Sequence, residues 1–409
     1  MMTGRTLLQA LAGGSLAALL SAAPAAAQNR TYLDVSGALG YSTNPDLSLV
    51  GRSSAYGRVS ANGYHSWGGE RSNTSLSAYV ENSYYFRRLS NRQLFSLNAF
   101  NTTRVSETTR LYGGLSFSGD FGAQLSSRFF VAPTDPNPTD GTDPVIPPSV
   151  VVLVSPDLVA LSQRQYRVSG SGGGEFRLSP VDTLVASVGA QHVFYGGNNQ
   201  ALLDSTQYDG ALGYQRQLSE RLSLGGRLIG TRTDYSLGRG ITSYGAQLTV
   251  SAQLAELLSL TAAAGLTRTE QDFGNLGGKT SGTDLALDAS LCRTLEFERF
   301  CLRAARRAQG VAFGVAPTST SASLDYSRRL GAKDQVQASF AYVTTDAASR
   351  LFTTKQSFYS ASGSYDRSIT DRLSAGVSAS VRKLSIAGND PKTDVGGSLF
   401  IRNRFGSVR

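Results

Sequence analysis

Along most of the chain, apolar and polar positions change places at every residue. Leu222, Leu224, Gly226 and Leu228 fall on one parity, and Ser223, Gly225 and Arg227 on the other. Tyr244, Ala246, Leu248, Val250, Ala252 and Leu254 oppose Ser243, Gly245, Gln247, Thr249, Ser251 and Gln253. Leu373, Ala375, Val377, Ala379 and Val381 oppose Ser374, Gly376, Ser378, Ser380 and Arg382. A period of two is that of a strand with one apolar and one polar face; a helix needs apolar residues three and four apart. The runs last roughly 10–14 residues, against about 5–6 for a globular strand, and about 9–11 tilted residues cross a bilayer's hydrocarbon.

Between the runs a short phrase recurs, as in Gln217-Leu-Ser-Glu-Arg-Leu-Ser-Leu224 and Arg329-Leu-Gly-Ala-Lys-Asp-Gln-Val336. Its centres fall near residues 69, 107, 181, 220, 256, 297, 332 and 370. The repeat of about 38 residues fits two long strands, one tight turn and one looser loop. The pattern predicts a transmembrane antiparallel up-and-down β-barrel of about 18 strands, with 16 to 20 as the range. They are placed at 31–42, 53–66, 72–86, 93–104, 109–122, 163–178, 183–195, 205–218, 222–235, 241–254, 258–271, 279–292, 300–313, 319–330, 335–346, 356–367, 373–387 and 392–405. Aromatic groups near strand ends, such as Tyr84-Tyr85-Phe86, Phe194-Tyr195 and Phe358-Tyr359, fit interfacial girdles and equally fit ordinary β-propensity.

Two segments depart from the pattern. Residues 1–27 join Arg5, a short apolar stretch from Leu7 to Leu20, and the small-residue pair Ala25-x-Ala27, which reads as a secretory signal cleaved after Ala27. The barrel domain then covers 28–409. Residues 128–162 are rich in Pro and Asp and account for one double-length gap between turns. They are expected to form a long loop, either folded into the lumen or solvated outside, with Val150–Val154 as a candidate short strand.

Composition narrows the class. Charged residues make up 17% of the chain and there are 44 glycines. A mean hydropathy of −0.16 is too low for a bundle of membrane helices. The net charge is +9, but the arginines are scattered through strands and turns instead of clustering, which argues against nucleic acid as a partner. The two cysteines, Cys292 and Cys301, flank a tight turn; a turn symmetric about Glu296-Phe297 would set them face to face as a disulfide, which an exported protein permits. A zinc site would need ligands beyond His65 and His192, the two histidines present.

The signal, the long alternating strands, the short turns and the Gly/Ser/Tyr/Arg composition together resemble the β-barrel porins common in alphaproteobacteria, some of which are associated with exopolysaccharide export. The resemblance covers the whole mature chain as a pattern. The last run fits it in part: Val395, Gly397, Leu399, Ile401 and Phe405 share a parity, Asn403 interrupts them, and the chain continues to Arg409 where such barrels end in an aromatic.

Ser66 adjoins His65, but neighbours on a strand point to opposite faces. Gly170-Ser-Gly-Gly-Gly174 lacks the Lys-Ser/Thr of a phosphate loop and reads as small residues that ease close packing or curvature. Asp135, Asp140 and Asp143 in the long loop read as solvated turn residues, with loose binding of a cation as the alternative. No cofactor, metal or catalytic residue is assigned. Arg227, Arg303, Arg307 and Arg382 are expected to line the lumen, where arginines either favour anions or pair with inward acids such as Asp288 and Asp325. The expected function is an aqueous pore for small hydrophilic solutes, with anions as its refinement. The alternatives are a conduit for exopolysaccharide, a structural or adhesive barrel with a plugged lumen, and a membrane-embedded hydrolase. Expected partners are outer-membrane lipid and lipopolysaccharide, the barrel insertion machinery and the solutes, with homo-oligomerisation left open.

Overall fold

The computed structural model describes residues 30–407, apart from 48–50, 70, 88–90, 121–163, 197–202, 275–277, 312–313, 347–354 and 389. The signal at 1–27 and the whole of the predicted loop at 128–162, with its candidate strand Val150–Val154, lie outside the described residues. The strands are β1 (Arg30–Ser42), β2 (Ser54–Gly68), β3 (Ser72–Tyr85), β4 (Arg92–Arg104), β5 (Thr109–Asp120), β6 (Arg164–Arg177), β7 (Asp182–Gly196), β8 (Ser205–Ser219), β9 (Leu222–Tyr235), β10 (Gly240–Ala255), β11 (Leu258–Asp272), β12 (Lys279–Thr294), β13 (Glu298–Ala308), β14 (Thr318–Arg329), β15 (Asp334–Thr345), β16 (Gln356–Ser368), β17 (Leu373–Ile386) and β18 (Lys392–Ser407).

Each strand pairs antiparallel with its neighbours in sequence, and β1 pairs with β18, so the 18-stranded sheet closes on itself. Closure leaves no strand edge along the seam, where β1 is paired on both sides over its length. Followed from partner to partner around the ladder, a position on β1 returns to β1 about 22 residues higher, which tilts the strands by roughly 40°.

Alternation assigns the two faces. Leu39, Leu115, Val188, Leu248, Leu266 and Leu399 are among the most exposed apolar residues, all on one parity of their strands. That face is the outside. Exposed aromatics share it near the loop ends of their strands: Tyr41, Tyr84, Tyr208, Tyr244 and Tyr359. Near the turn ends, Trp67, Phe176, Tyr214, Tyr326, Tyr365 and Phe405 share it as well. An apolar band between two aromatic girdles is the exterior of a transmembrane barrel. No helix of the described residues is long and apolar enough to cross a membrane.

One strand ends earlier than its sequence suggests. The run at 300–313 stops at Ala308, and Val311 instead bridges Val315 in a small hairpin. The apolar residues there pack inward. Ala316 is buried with Leu203, Tyr235 and Ile241 on the inner wall, and its N–H donates to Gln271 Oε1 at 3.3 Å. Gly314 turns the tip at φ 73°, beside Leu203 and Arg239, where a side chain would be strained. The glycine run in β6 also allows close approach: a Cβ on Gly173 would stand 2.5 Å from the Ala186 carbonyl.

Candidate functional site: the lumen wall

The inner parity is polar and charged over the whole strand length. Its basic residues are Arg30, Arg58, Arg92, Arg104, Arg110, Arg167, Arg177, Arg227, Arg299, Arg303, Arg307, Arg329, Arg382, Lys392, Arg402 and Arg404. Its acids are fewer: Asp34, Glu81, Asp120, Glu175, Asp209, Asp284, Asp288, Asp325, Asp366 and Asp394.

The four arginines singled out in the sequence all lie on this face, in different company. Arg382 meets Asp394, whose side chain is almost wholly buried, with its Nε 3.1 Å from Oδ2. Arg303 Nη1 donates to Asp325 at 3.2 Å, while Asp288 stands opposite Ala305 on the next strand. Arg227 Nε donates to the neutral amide of Gln247 at 2.6 Å. Arg307 is exposed, faces Ser319 across the ladder, and has no acid partner among the described residues. Arg303 and Arg307 share β13; Arg227 on β9 and Arg382 on β17 stand apart from them and from each other.

Sequence reasoning missed two groups. The first stitches the closing seam. Arg404 grips Asp34 with two bonds of 2.7 Å and lies 4.8 Å over the ring of Tyr32, which itself stacks on Tyr64. Arg402 bonds Asp366, with Ser374 beside it. Asp34 and Arg404 are 370 residues apart, so only the closed ladder brings them together. The second group sits at the turn end of the barrel: Arg30 and Arg299 hold inward positions in the first steps of β1 and β13, and Arg104, Arg177 and Arg329 at the last residues of β4, β6 and β14. Arg104 stands directly opposite Arg110, a like-charge pairing that costs stability in a sheet. Its signal in the sequence is an Arg that keeps inward parity at a strand end.

Cys292 and Cys301 are direct cross-strand partners on the inner face and are joined as a disulfide. The two histidines lie on the outer face. His65 Nδ1 is 2.6 Å from the Thr31 hydroxyl and its ring is 5.0 Å from Trp67; His192 Nδ1 is 2.8 Å from the Thr206 hydroxyl. Ser66 is on the opposite, inner face from His65. Among the described residues no three His, Cys, Asp or Glu gather as metal ligands; Asp135, Asp140 and Asp143 lie outside them.

No protein-family model matches the chain, and no curated protein matches it. Among solved structures it is similar to OccK2 (OpdF) of Pseudomonas aeruginosa in complex with glucuronate, at 12% identity over 93% of this chain and 99% of that one, TM-score 0.46. It is also similar to OpdK of Pseudomonas aeruginosa with vanillate, at 10% identity over 92% and 99%, TM-score 0.44. The FrpB iron transporter of Neisseria meningitidis matches at 11% identity over 87% of this chain, TM-score 0.44, and the chain spans 62% of that protein's length.

Proposed function

We propose that this chain is an outer-membrane pore through which small hydrophilic solutes pass passively, with a preference for anions. The expected signal at 1–27 fits export to that membrane. The observation that carries the reading is the excess of basic over acidic residues on a polar inner face, inside a barrel wide enough to hold water. A solute in such a lumen keeps its hydration, so no binding energy is needed to enter and none retains it. Selection then comes from width and from the summed charge of the wall.

Pairing decides which arginines contribute. Arg303 and Arg382 face carboxylates, so each pair adds no net charge and its field falls off within a few ångströms. Arg227 and Arg307 have no acid partner among the described residues and contribute a full charge each. The arginines at the turn end add a positive rim at the inner mouth.

Planar-bilayer recording of the refolded protein under a salt gradient tests this. The expected result is steady conductance with a reversal potential on the anion side. Arg227→Glu and Arg307→Glu together should move that potential towards cations. A protein that is folded and inserted but does not conduct would sink the pore reading; a cation-selective wild type would sink the anion preference alone.

A further inference from the structure

We propose that Asp394 and Arg382 form a latch that holds the first part of the outer loop after β1, Thr43 to Leu47, inside the mouth, so that this segment sets the width of the entrance on that side. The inference rests on the pore reading. It names the residues that position the constriction.

The loop leaves β1 at Ser42 and turns to the inner side of the wall. Its path is fixed by what it touches. Asp394 Oδ1 accepts from Ser42 Oγ at 2.5 Å and from the Asn44 backbone N–H at 2.8 Å. Oδ2 accepts from Arg382, and Arg382 Nη2 donates onward to the Pro45 carbonyl at 3.2 Å. One carboxylate and one guanidinium therefore hold consecutive backbone groups of the loop, and neither could do so from the outer face. Both have inward parity, opposite to the exposed Val381 and Val395.

Beyond Pro45, Leu47 packs against Phe358 of β16 and Leu384 of β17, and all three are almost fully buried. Phe358 and Leu384 are again inward positions, next to the outward Tyr359 and Lys383. The loop thus crosses the inner side of β18 and β17 to reach β16. Leu47 has φ 48°, the left-handed region that a Leu side chain disfavours. A residue stays there only where its surroundings over-determine it. The apolar seat and the latch supply that constraint from two sides.

The test uses the refolded full chain, with folding verified by heat-modifiable gel mobility. Asp394→Asn removes the charge that organises the latch. Leu47→Asn removes the apolar seat while tolerating the left-handed backbone, and lies in a loop, so the barrel should fold without it. Each should raise single-channel conductance about twofold, because the narrowest section limits current. Separately, Leu47→Cys is labelled with a membrane-impermeant maleimide, with and without Asp394→Asn. Release of the loop should speed labelling roughly tenfold, as expected when local opening exposes a buried thiol. Labelling unaffected by Asp394→Asn would overturn the latch. Faster labelling with conductance unchanged would overturn the loop's role as the constriction. A wild type that never conducts fails the pore reading alone, and the labelling still decides whether the latch exists.

Discussion

Two stretches of the lumen wall carry the same residue types in different electrostatic roles. On the seam wall, β16 to β18 with β1, Arg382, Arg402 and Arg404 each hold an aspartate, and the pairs are largely buried. On the inner face from β9 to β13, Arg227 meets an amide and Arg307 faces a serine across the ladder, while Arg303 is ion-paired with Asp325. The seam uses arginine to join elements that are distant in sequence. The stretch from β9 to β13 leaves arginine to the lumen. An inward arginine therefore says little about selectivity until its cross-strand neighbours are known.

Breaking a seam pair should have the largest effect. Asp34→Ala leaves Arg404 three-quarters buried without its carboxylate. Uncompensated buried charge is costly, and with lumen water to relieve part of it the loss should be about 2–4 kcal/mol. Urea midpoints of folded barrel in lipid vesicles would measure this. Arg227→Ala on the other stretch should stay within about 0.5 kcal/mol of wild type. The double variant Asp34→Ala/Arg404→Leu should recover part of the loss, because no charge is left stranded. If Asp34→Ala were no more damaging than Arg227→Ala, the two walls would not differ as described.

The comparison also marks what the sequence carried. Alternation placed the strands closely: the run at 222–235 is β9, and that at 241–254 is β10 within a residue at either end. Lipid outside and water inside impose a period of two on every strand, so the signal repeats around the barrel. It failed at 300–313, where Val311 is buried beside Val315 in a small hairpin and Ala316, just beyond the run, is buried with Tyr235, Ile241 and Leu203 on the inner wall, not against lipid. A hydrophobicity pattern cannot tell those two apolar environments apart. Inward parity of Arg227, Arg303, Arg307 and Arg382 was legible for the same reason the strands were. Their partners were not. Asp394 reaches Arg382 from the next strand, but Asp34 reaches Arg404 only through closure, and Leu47 reaches Phe358 only because its loop turns inward.

A smaller effect is expected from the disulfide. Pairing between β12 and β13 runs only from Leu287↔Arg306 to Thr294↔Arg299, whereas β11 and β12 pair from Leu258 to Asp272. The Cys292–Cys301 bridge reinforces this short ladder. Replacing both cysteines by Ala should cost about 1–2.5 kcal/mol, at the low end for a disulfide because the loop it closes is short and the turn already brings its ends together. A double variant as stable as wild type would mean that the ladder needs no covalent support.

The smallest expected effect is the sharpest test of the contrast. Exchanging the partners of a seam pair, as Arg402→Asp with Asp366→Arg, keeps the charge sum and reverses only a short dipole. At about 0.1 M salt the screening length is roughly 10 Å, so a permeating ion samples the net charge of the wall and scarcely the order within a contact pair. The exchanged protein should therefore keep the wild-type reversal potential, even if it loses stability because the exchanged side chains no longer match the contacts that Ser374 makes with both positions. Arg307→Glu, which changes the sum by two charges at an exposed position, should shift it. Both variants alter charged positions on the same inner face; one keeps the sum of the wall's charge and the other changes it. Equal shifts from both would mean that a permeating ion reads the positions of individual side chains and not the summed charge of the wall.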